Sequence, residues 1–549
     1  MRFRLLFFLA CPVAIALAAQ APADNRSSVA GQVMRADTGE PLRRAVVTMR
    51  PAEGRSSAPL AASTGPDGRF EMGGIPPGQY RIWVSRNGFL AQEYGQKSYG
   101  RPGMPVTLAA RQEMTGIAFR MVPQGAISGR VVNEDGEKIS YVRIQAFRQG
   151  RVQGRRQWTP AGMSATNDLG EYRIFGLYPG RYFLAAQYTS ALAPVAAPGD
   201  AKPGPDAEEA YAPLYYPGSL DPVRATPVEA PPGADVRGID FTLVPTRTVR
   251  IRGRVKFEAS DSLTRPVVAL FPRTSAFLGF MGRHGAQVDE KGEFEIRGVT
   301  PGSYWLTADM FGENKRLTFR SPLEVGTSSI EGANLVLGPA PVLNGRVRAE
   351  ADAKVSLGGI RIYLQTQETG STGSSGFATV KPDGAFTVQN LANDVYVLTL
   401  ARSSDDDVYI KSIRLGDSDV TESALDLTQG VPGPLDITLA PGTAQLSGTV
   451  MREQQPAAGA TVVIVPEGAR RSLSRFYRTG TADQNGAFVM RGVTPGDYKV
   501  FAWDELEESI YQDPEFLQPF ESKGRTVSLK PQARETVQLE LLSGTEASR

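Results

Sequence analysis

The chain contains one histidine, His284, among 549 residues. With a single imidazole, neither a His-x-x-Glu zinc site nor a histidine-based serine or cysteine triad can be assembled. His284 stands in Met281-Gly282-Arg283-His284-Gly285, a setting that reads as a solvated loop rather than a ligand position. The only cysteine, Cys11, falls in an apolar leader, which removes disulfide frameworks and cysteine-based metal sites. Paired carboxylates can hydrolyse glycosides, yet spacing singles out no pair among the 58 acidic residues. An acid does recur in one setting, as Asp67-Gly68, Asp168 with Gly170, Asp289 with Gly292, Asp383-Gly384 and Asp483 with Gly486. Calcium needs several oxygen ligands, and one or two per site fit better as caps bonded to their own turn. The denser groups, Asp405-Asp406-Asp407 and Asp504-Glu505 with Glu507-Glu508, read as solvated loops. No catalytic set, metal or cofactor is expected.

Those recurring acids belong to a repeat, and repeats govern the reading of everything else. The five copies are Gly68 to Tyr80 (GRFEMGGIPPGQY), Gly170 to Tyr182 (GEYRIFGLYPGRY), Gly292 to Tyr304 (GEFEIRGVTPGSY), Gly384 to Tyr396 (GAFTVQNLANDVY) and Gly486 to Tyr498 (GAFVMRGVTPGDY). Each has an aromatic two residues after the Gly and an aliphatic residue seven after it. Alternation at period two, as in Phe70 and Met72 or Tyr172 and Ile174, marks a strand with one buried face. Pro77-Gly78, Pro179-Gly180, Pro301-Gly302 and Pro495-Gly496 then make a turn in which Pro presets φ and Gly supplies φ > 0. Asn393-Asp394 takes that place in the fourth copy, where both residues tolerate a left-handed conformation.

The signatures lie 102, 122, 92 and 102 residues apart, so each belongs to one small domain able to bury its own core. A strand carrying Gly31, Gly129, Gly253, Gly345 or Gly448 opens each unit, and an alternating strand such as Ile117, Phe119, Met121 closes it. Six or seven strands per unit make an all-β chain of sandwiches. Their expected limits are 28–122, 125–244, 247–338, 341–440 and 443–541, with a mobile insert at 191–209 and a tail at 542–549. Short junctions ending in Pro123, Pro245, Pro339 and Pro441 predict a stiff rod, which at about 35 Å per sandwich exceeds about 100 Å. Residues 1–18, with Arg2 and Arg4 ahead of an apolar run and Ala16-Leu17-Ala18 at the cut, have the layout of a signal peptide. Export follows, with no transmembrane span after cleavage. A charge balance of 60 basic to 58 acidic residues, without a basic stripe, does not suggest nucleic acid.

Gly-x-Val, an apolar strand, then Gly-x-(Phe/Tyr)-x-Ile-x-Gly-Leu-x-Pro-Gly-x-Tyr resembles the carboxypeptidase regulatory-like domain. This is a transthyretin-like, immunoglobulin-like sandwich related to collagen-adhesin B-type repeats and to the starch-binding-like fold. The likeness covers nearly all of the mature chain, loosely in the fourth unit. It implies placement outside the cytoplasm and, in some members, carbohydrate binding or adhesion. The Lys of the adhesins' isopeptide bond has no counterpart, since Gln32, Arg130, Arg254, Arg346 or Thr449 follows the opening Gly.

Surface remains as the place for function. The strand phase that buries Tyr80, Ile82 and Val84 turns Trp83 outward, and the same count exposes Phe183, Trp305, Phe501 and Trp503. Such planes suit stacking on a sugar ring, with Arg81 or Lys499 as donors, or anchoring a protein. The favoured reading is that a crossing loop or a neighbouring sandwich covers them, since large apolar side chains are usually buried somewhere. Tyr215 and Tyr216 lie in a Pro/Gly-rich loop as a second aromatic set. The expected function is therefore non-enzymatic: glycan binding or adhesion at the cell envelope, or a scaffold contacting envelope proteins.

Overall fold

In every unit an opening strand lies between an antiparallel and a parallel partner, and a glycine explains why it can. The computed structural model describes residues 25–52, 58–188, 208–257, 264–273, 284–312, 316–353, 355–367, 375–401 and 407–543. The leader at 1–18 therefore lies outside the described residues, as do 191–207 of the insert, Asp405, Asp406 and the last six residues.

In the first sandwich, strand Ser27–Arg35 pairs antiparallel with Arg69–Ile75 and parallel with Glu113–Met121. The same triplet recurs around Gly125–Asn133, Pro245–Lys256, Leu343–Ala349 and Ala444–Arg452. A Cβ on Gly31, Gly129, Gly253, Gly345 or Gly448 would stand far inside contact distance of the closing strand's carbonyl at Ile117, Ile239, Ala333, Leu435 or Val537. The signature aromatic rings of Phe70, Phe294, Phe386 and Phe488 cover that glycine. In the second sandwich Tyr172 stands there and its hydroxyl donates to the Ile239 carbonyl at 2.6 Å.

A second sheet faces the first. Its central strand, Val46–Pro51 in the first sandwich, lies between Leu60–Ser63 and Gly78–Ser85. Val142–Val152, Val267–Pro272, Arg361–Thr366 and Thr461–Pro466 are its equivalents. Five separate apolar cores fill the space between the sheets. Burial of side chains such as Val47, Ile82 and Phe119, at 0–1% exposure, contributes about 1.5–3 kcal/mol each. In the fifth sandwich the closing strand also reaches Ala502 and Trp503, joining both sheets into one of eight strands.

The signature residues are the joints of this design. Gly68, Gly170, Gly292, Gly384 and Gly486 have φ between 70° and 84°. A Cβ there would come within 2.8 Å or less of the carbonyl of Val33, Val131, Val255, Val347 or Val450. The preceding acids cap the hairpin from the side chain, as Asp289 Oδ1 does for the N–H of Lys291 and Glu293 at 2.9 and 2.7 Å. In the second unit Asn167, not Asp168, fills this role. The signature tyrosine reaches back over the turn. Tyr80, Tyr182, Tyr304, Tyr396 and Tyr498 each donate to the carbonyl four residues earlier, at 2.5–3.0 Å.

Gly78, Gly180, Gly302 and Gly496 do take positive φ, of 147–158°, and each leads directly into the next strand. Several expectations need correction. Asn393 and Asp394 are not left-handed; Asn390, at φ 64°, makes that bend, and the Tyr396 hydroxyl still holds the turn. His284 begins strand His284–Gln287, opposite Leu270, rather than sitting in a loop. The insert ends in strand Glu208–Tyr211, which pairs with Pro245–Lys256 and so carries a strand of unit two into the sheet of unit three.

The largest correction concerns the rod. Tyr99 meets Tyr178 between the first two sandwiches, and Arg320 meets Asp394 between the third and fourth. Arg470 meets Glu422 between the fourth and fifth. The fifth then returns to the first: Thr107 donates its hydroxyl to Asp483 at 2.7 Å, and its backbone N–H and C=O bond the Gln484 amide at 3.0 and 2.8 Å. Lys97 also pairs with Asp504. The five sandwiches thus make a closed circuit of contacts.

Gly448→Ala should lower the melting temperature of the fifth sandwich's calorimetric transition by several degrees, as overpacking costs about 1–3 kcal/mol. Gly73→Ala, whose Cβ would meet nothing within 4 Å, should leave the melting unchanged. Tyr498→Phe, which leaves the Thr494 carbonyl without its donor, should cost about 1 kcal/mol in chemical denaturation. The hydrogen bond from Lys97, aided by Arg452, holds the Asp504 carboxyl below its ordinary range. Its folded-state pKa is depressed, so its contribution is present above about pH 4 and is lost as pH falls through the lower value. The hydrodynamic radius should thus stay constant from neutral pH to about pH 5 and rise only below about pH 4.

Candidate functional site

An outward-pointing ring on a strand is a binding surface only where nothing lies over it. Trp83 is half-buried, and its cross-strand neighbour Glu93 draws Arg81 into a 2.5 Å ion pair that also holds the Gly103 N–H. Arg81 is thus committed to its own loop rather than free beside the indole. Phe183 lies stacked on Trp158 with centroids 4.3 Å apart, in a cluster with Phe147 and Tyr215. Tyr215 is 7% exposed, and Tyr216 packs edge-on to Phe241 of the inner core at 6.0 Å.

Trp305 is held between two guanidiniums. Arg320 lies 4.0 Å and Arg273 5.1 Å from its ring centroid. Since Arg320 also pairs with Asp394 at 3.1 Å, this indole is part of the contact between sandwiches three and four.

Phe501 and Trp503 do point away from the inner core, yet they are 1% and 0% exposed. They are therefore not open planes for a ligand; of the two readings of these rings, cover by a crossing loop is the one that holds. Residues 504–524 cross above them, with turns Ile510–Gln512 and Gln518–Phe520 and the short helix Pro514–Leu517. Leu506, Leu517 and Phe520 join Val463, Val465 and Tyr477 in a second core around the indole, whose N–H is buried without a partner. The crossing segment is tied down by Glu521, which accepts from Lys499 at 2.7 Å and from Arg471 at 2.5 Å. Those two cations, Arg471 first, hold the Glu521 carboxyl below its usual range. Lys499, like Arg81, is committed.

A polar region stays open, apart from exposed rings such as Phe175 and Phe377. A cleft of about 530 Å³ between sandwiches four and five is lined by Lys411, Asp419, Thr421, Glu422, Ser423 and Arg470. Beside it Arg475 donates to the Thr421 carbonyl at 2.5 Å, and burial together with the neighbouring Arg470 brings its guanidinium down to about 10. The cleft offers both donors and acceptors. Among the described residues no group of three or more His, Cys, Asp or Glu could hold a metal ion.

Sequence reasoning identified the ring positions and their strand phase but not their covers. The 504–524 segment is amphipathic only over irregular turns, so no single period shows it. The tyrosine hydroxyl bond was legible in principle, because each signature tyrosine stands at a fixed distance beyond a turn.

Comparison with known proteins sets this geometry in context. None of the curated proteins matches the chain. Similar solved structures include the TIE protein of Bacillus anthracis, 11% identical over 57% of this chain and 51% of that one, with a TM-score of 0.17. The chain thus spans about half the length of that protein. The minor pilin of Streptococcus agalactiae is 11% identical over 40% of this chain and 96% of its own, at 0.22. The major pilin subunit BcpA of Bacillus cereus is 9% identical over 94% and 99%, at 0.13. Scores this low carry no argument. No helix among the described residues is long and apolar enough to cross a membrane. Residues 28–121 match the carboxypeptidase regulatory-like domain, and the glycines, aromatic and tyrosine that hold that sandwich together recur in the other four.

Proposed function

We propose that the chain is an exported, non-enzymatic scaffold that works at the cell envelope through contacts with proteins. The observation that carries this reading is the commitment of the outward aromatics: Trp305 is clamped by two arginines, and Trp503 lies beneath residues 504–524. Rings used in this way hold the array together instead of offering planes to a sugar. The match of the first sandwich to a regulatory-like domain, a module without a catalytic set of its own here, supports the non-enzymatic part. Export rests on the residue pattern of 1–18.

Glycan binding is the second reading, and the cleft between sandwiches four and five favours it. Thr421 and Ser423 hydroxyls, Asp419 and Glu422 carboxylates and the Lys411 and Arg470 cations present the mixed donors and acceptors that sugar hydroxyls use. A half-buried Trp83 adds one partly available ring.

Titrating the mature chain with oligosaccharides and peptidoglycan fragments separates the two readings. The scaffold predicts no saturable change in heat or tryptophan emission, together with recovery of defined envelope proteins on the immobilised chain. A saturable heat abolished by Glu422→Gln or Arg470→Ala would transfer the function to the cleft. Acrylamide should quench Trp83 readily and Trp503 scarcely at all in single-tryptophan variants. Amino-terminal sequencing of the exported protein should begin at Ala19.

A further inference from the structure

Residues Asp504–Asp513 carry five carboxylates, and these do not face solvent alone. They lie across the first two sandwiches. Lys97 pairs with the Asp504 side chain and donates to its backbone carbonyl at 3.1 Å. Arg101 stands 3.5 Å from Glu508. Arg151 reaches from the second sandwich to Asp513 at 2.6 Å, with Glu507 at 3.7 Å from its Nε. Its side chain is only 9% exposed, and Nη1 is further oriented by the Gly154 carbonyl at 2.8 Å.

Backbone shape matches the charge. Gly154 has φ +78°, and a Cβ on it would lie 2.7 Å from the Gln512 carbonyl carbon and 2.9 Å from the Asp513 nitrogen. The glycine thus lets the acidic segment's main chain lie directly against the hairpin between Val142–Val152 and Arg155–Ala165. A contact of this make-up, charged at its centre and closed by glycine, recognises its occupant by charge pattern.

We propose that Lys97, Arg101, Arg151 and Gly154 form a docking face for an acidic polypeptide segment, filled in the closed array by the chain's own Asp504–Asp513. The inference rests on the reading of the chain as a protein-contacting scaffold and names the chemistry of its partner. A tethered segment competes at an effective concentration in the millimolar range. An external acidic segment therefore enters once the internal one is displaced or outnumbered. Opening the face also breaks the circuit of sandwiches, so binding and shape are coupled.

The test uses the full chain and a labelled peptide of residues 503–514. Wild type should bind it weakly. A chain disarmed by Glu507→Lys, Glu508→Lys and Asp513→Lys should bind it at least about tenfold more tightly. Adding Arg151→Glu should abolish that gain, as should raising salt from 0.1 to 1 M, which shortens the screening length from about 10 to about 3 Å. A disarmed chain that binds no better than wild type, or equally well with Arg151→Glu, would overturn the proposal. The charge swap keeps the test sound if the triple variant misfolds. Arg151→Asp and Asp513→Arg should each enlarge the hydrodynamic radius and together restore it; unchanged radii in both singles would overturn the docking face. Recovery of envelope proteins by the native chain tests the scaffold reading separately, so either can fail without the other.

Discussion

The constraint on which the structure depends is a place with no room for a side chain. In every sandwich the opening strand runs so close to the carbonyl of the closing strand that only glycine fits, and an aromatic ring from the signature strand lies over it. That contact joins the first and last strands of the unit in a parallel ladder, so the chain ends of each domain are locked by the same few atoms. The left-handed signature glycine and the tyrosine hydroxyl hold the strand that carries the ring in register. Each repeated residue thus serves one joint.

Between sandwiches the chemistry changes. The cores are apolar and closed, while the contacts that link units are mostly polar, made of ion pairs and the Thr107 bonds to Asp483 and Gln484, with one tyrosine pair and with backbone pairing at one junction. Exposed ion pairs contribute about 0–1 kcal/mol each. The array therefore closes by many weak contacts, of which the scarcely exposed Arg151 is the strongest anchor. Domains that are individually stable but weakly linked can change their arrangement without unfolding.

The outward aromatics show why surface is harder to read than core. A strand's period of two tells which way Trp305 or Trp503 points, but a large apolar side chain left in water costs enough that something usually covers it. What covers Trp503 is the irregular segment 504–524 that follows it, and what covers Trp305 is a pair of arginines, one of them bound to the next sandwich. Neither partner stands at a spacing tied to the ring it touches.

By itself the sequence determined the repeat, the sheets' buried faces, four of the five turn caps and the all-β class. Each follows from local rules, namely alternation, turn chemistry and glycine conformations, that recur in five copies with the same twelve residues from Gly to Tyr. Tertiary structure decided the rest. That the Asp504 to Asp513 run is a ligand and not a solvated loop depends on Lys97, Arg101 and Arg151, some 400 residues away in sequence for the first two. The same contacts bend the expected rod into a closed circuit. Charge complementarity at that separation leaves no local periodicity, because it is set by how rigid sandwiches meet in space rather than by neighbours along the chain.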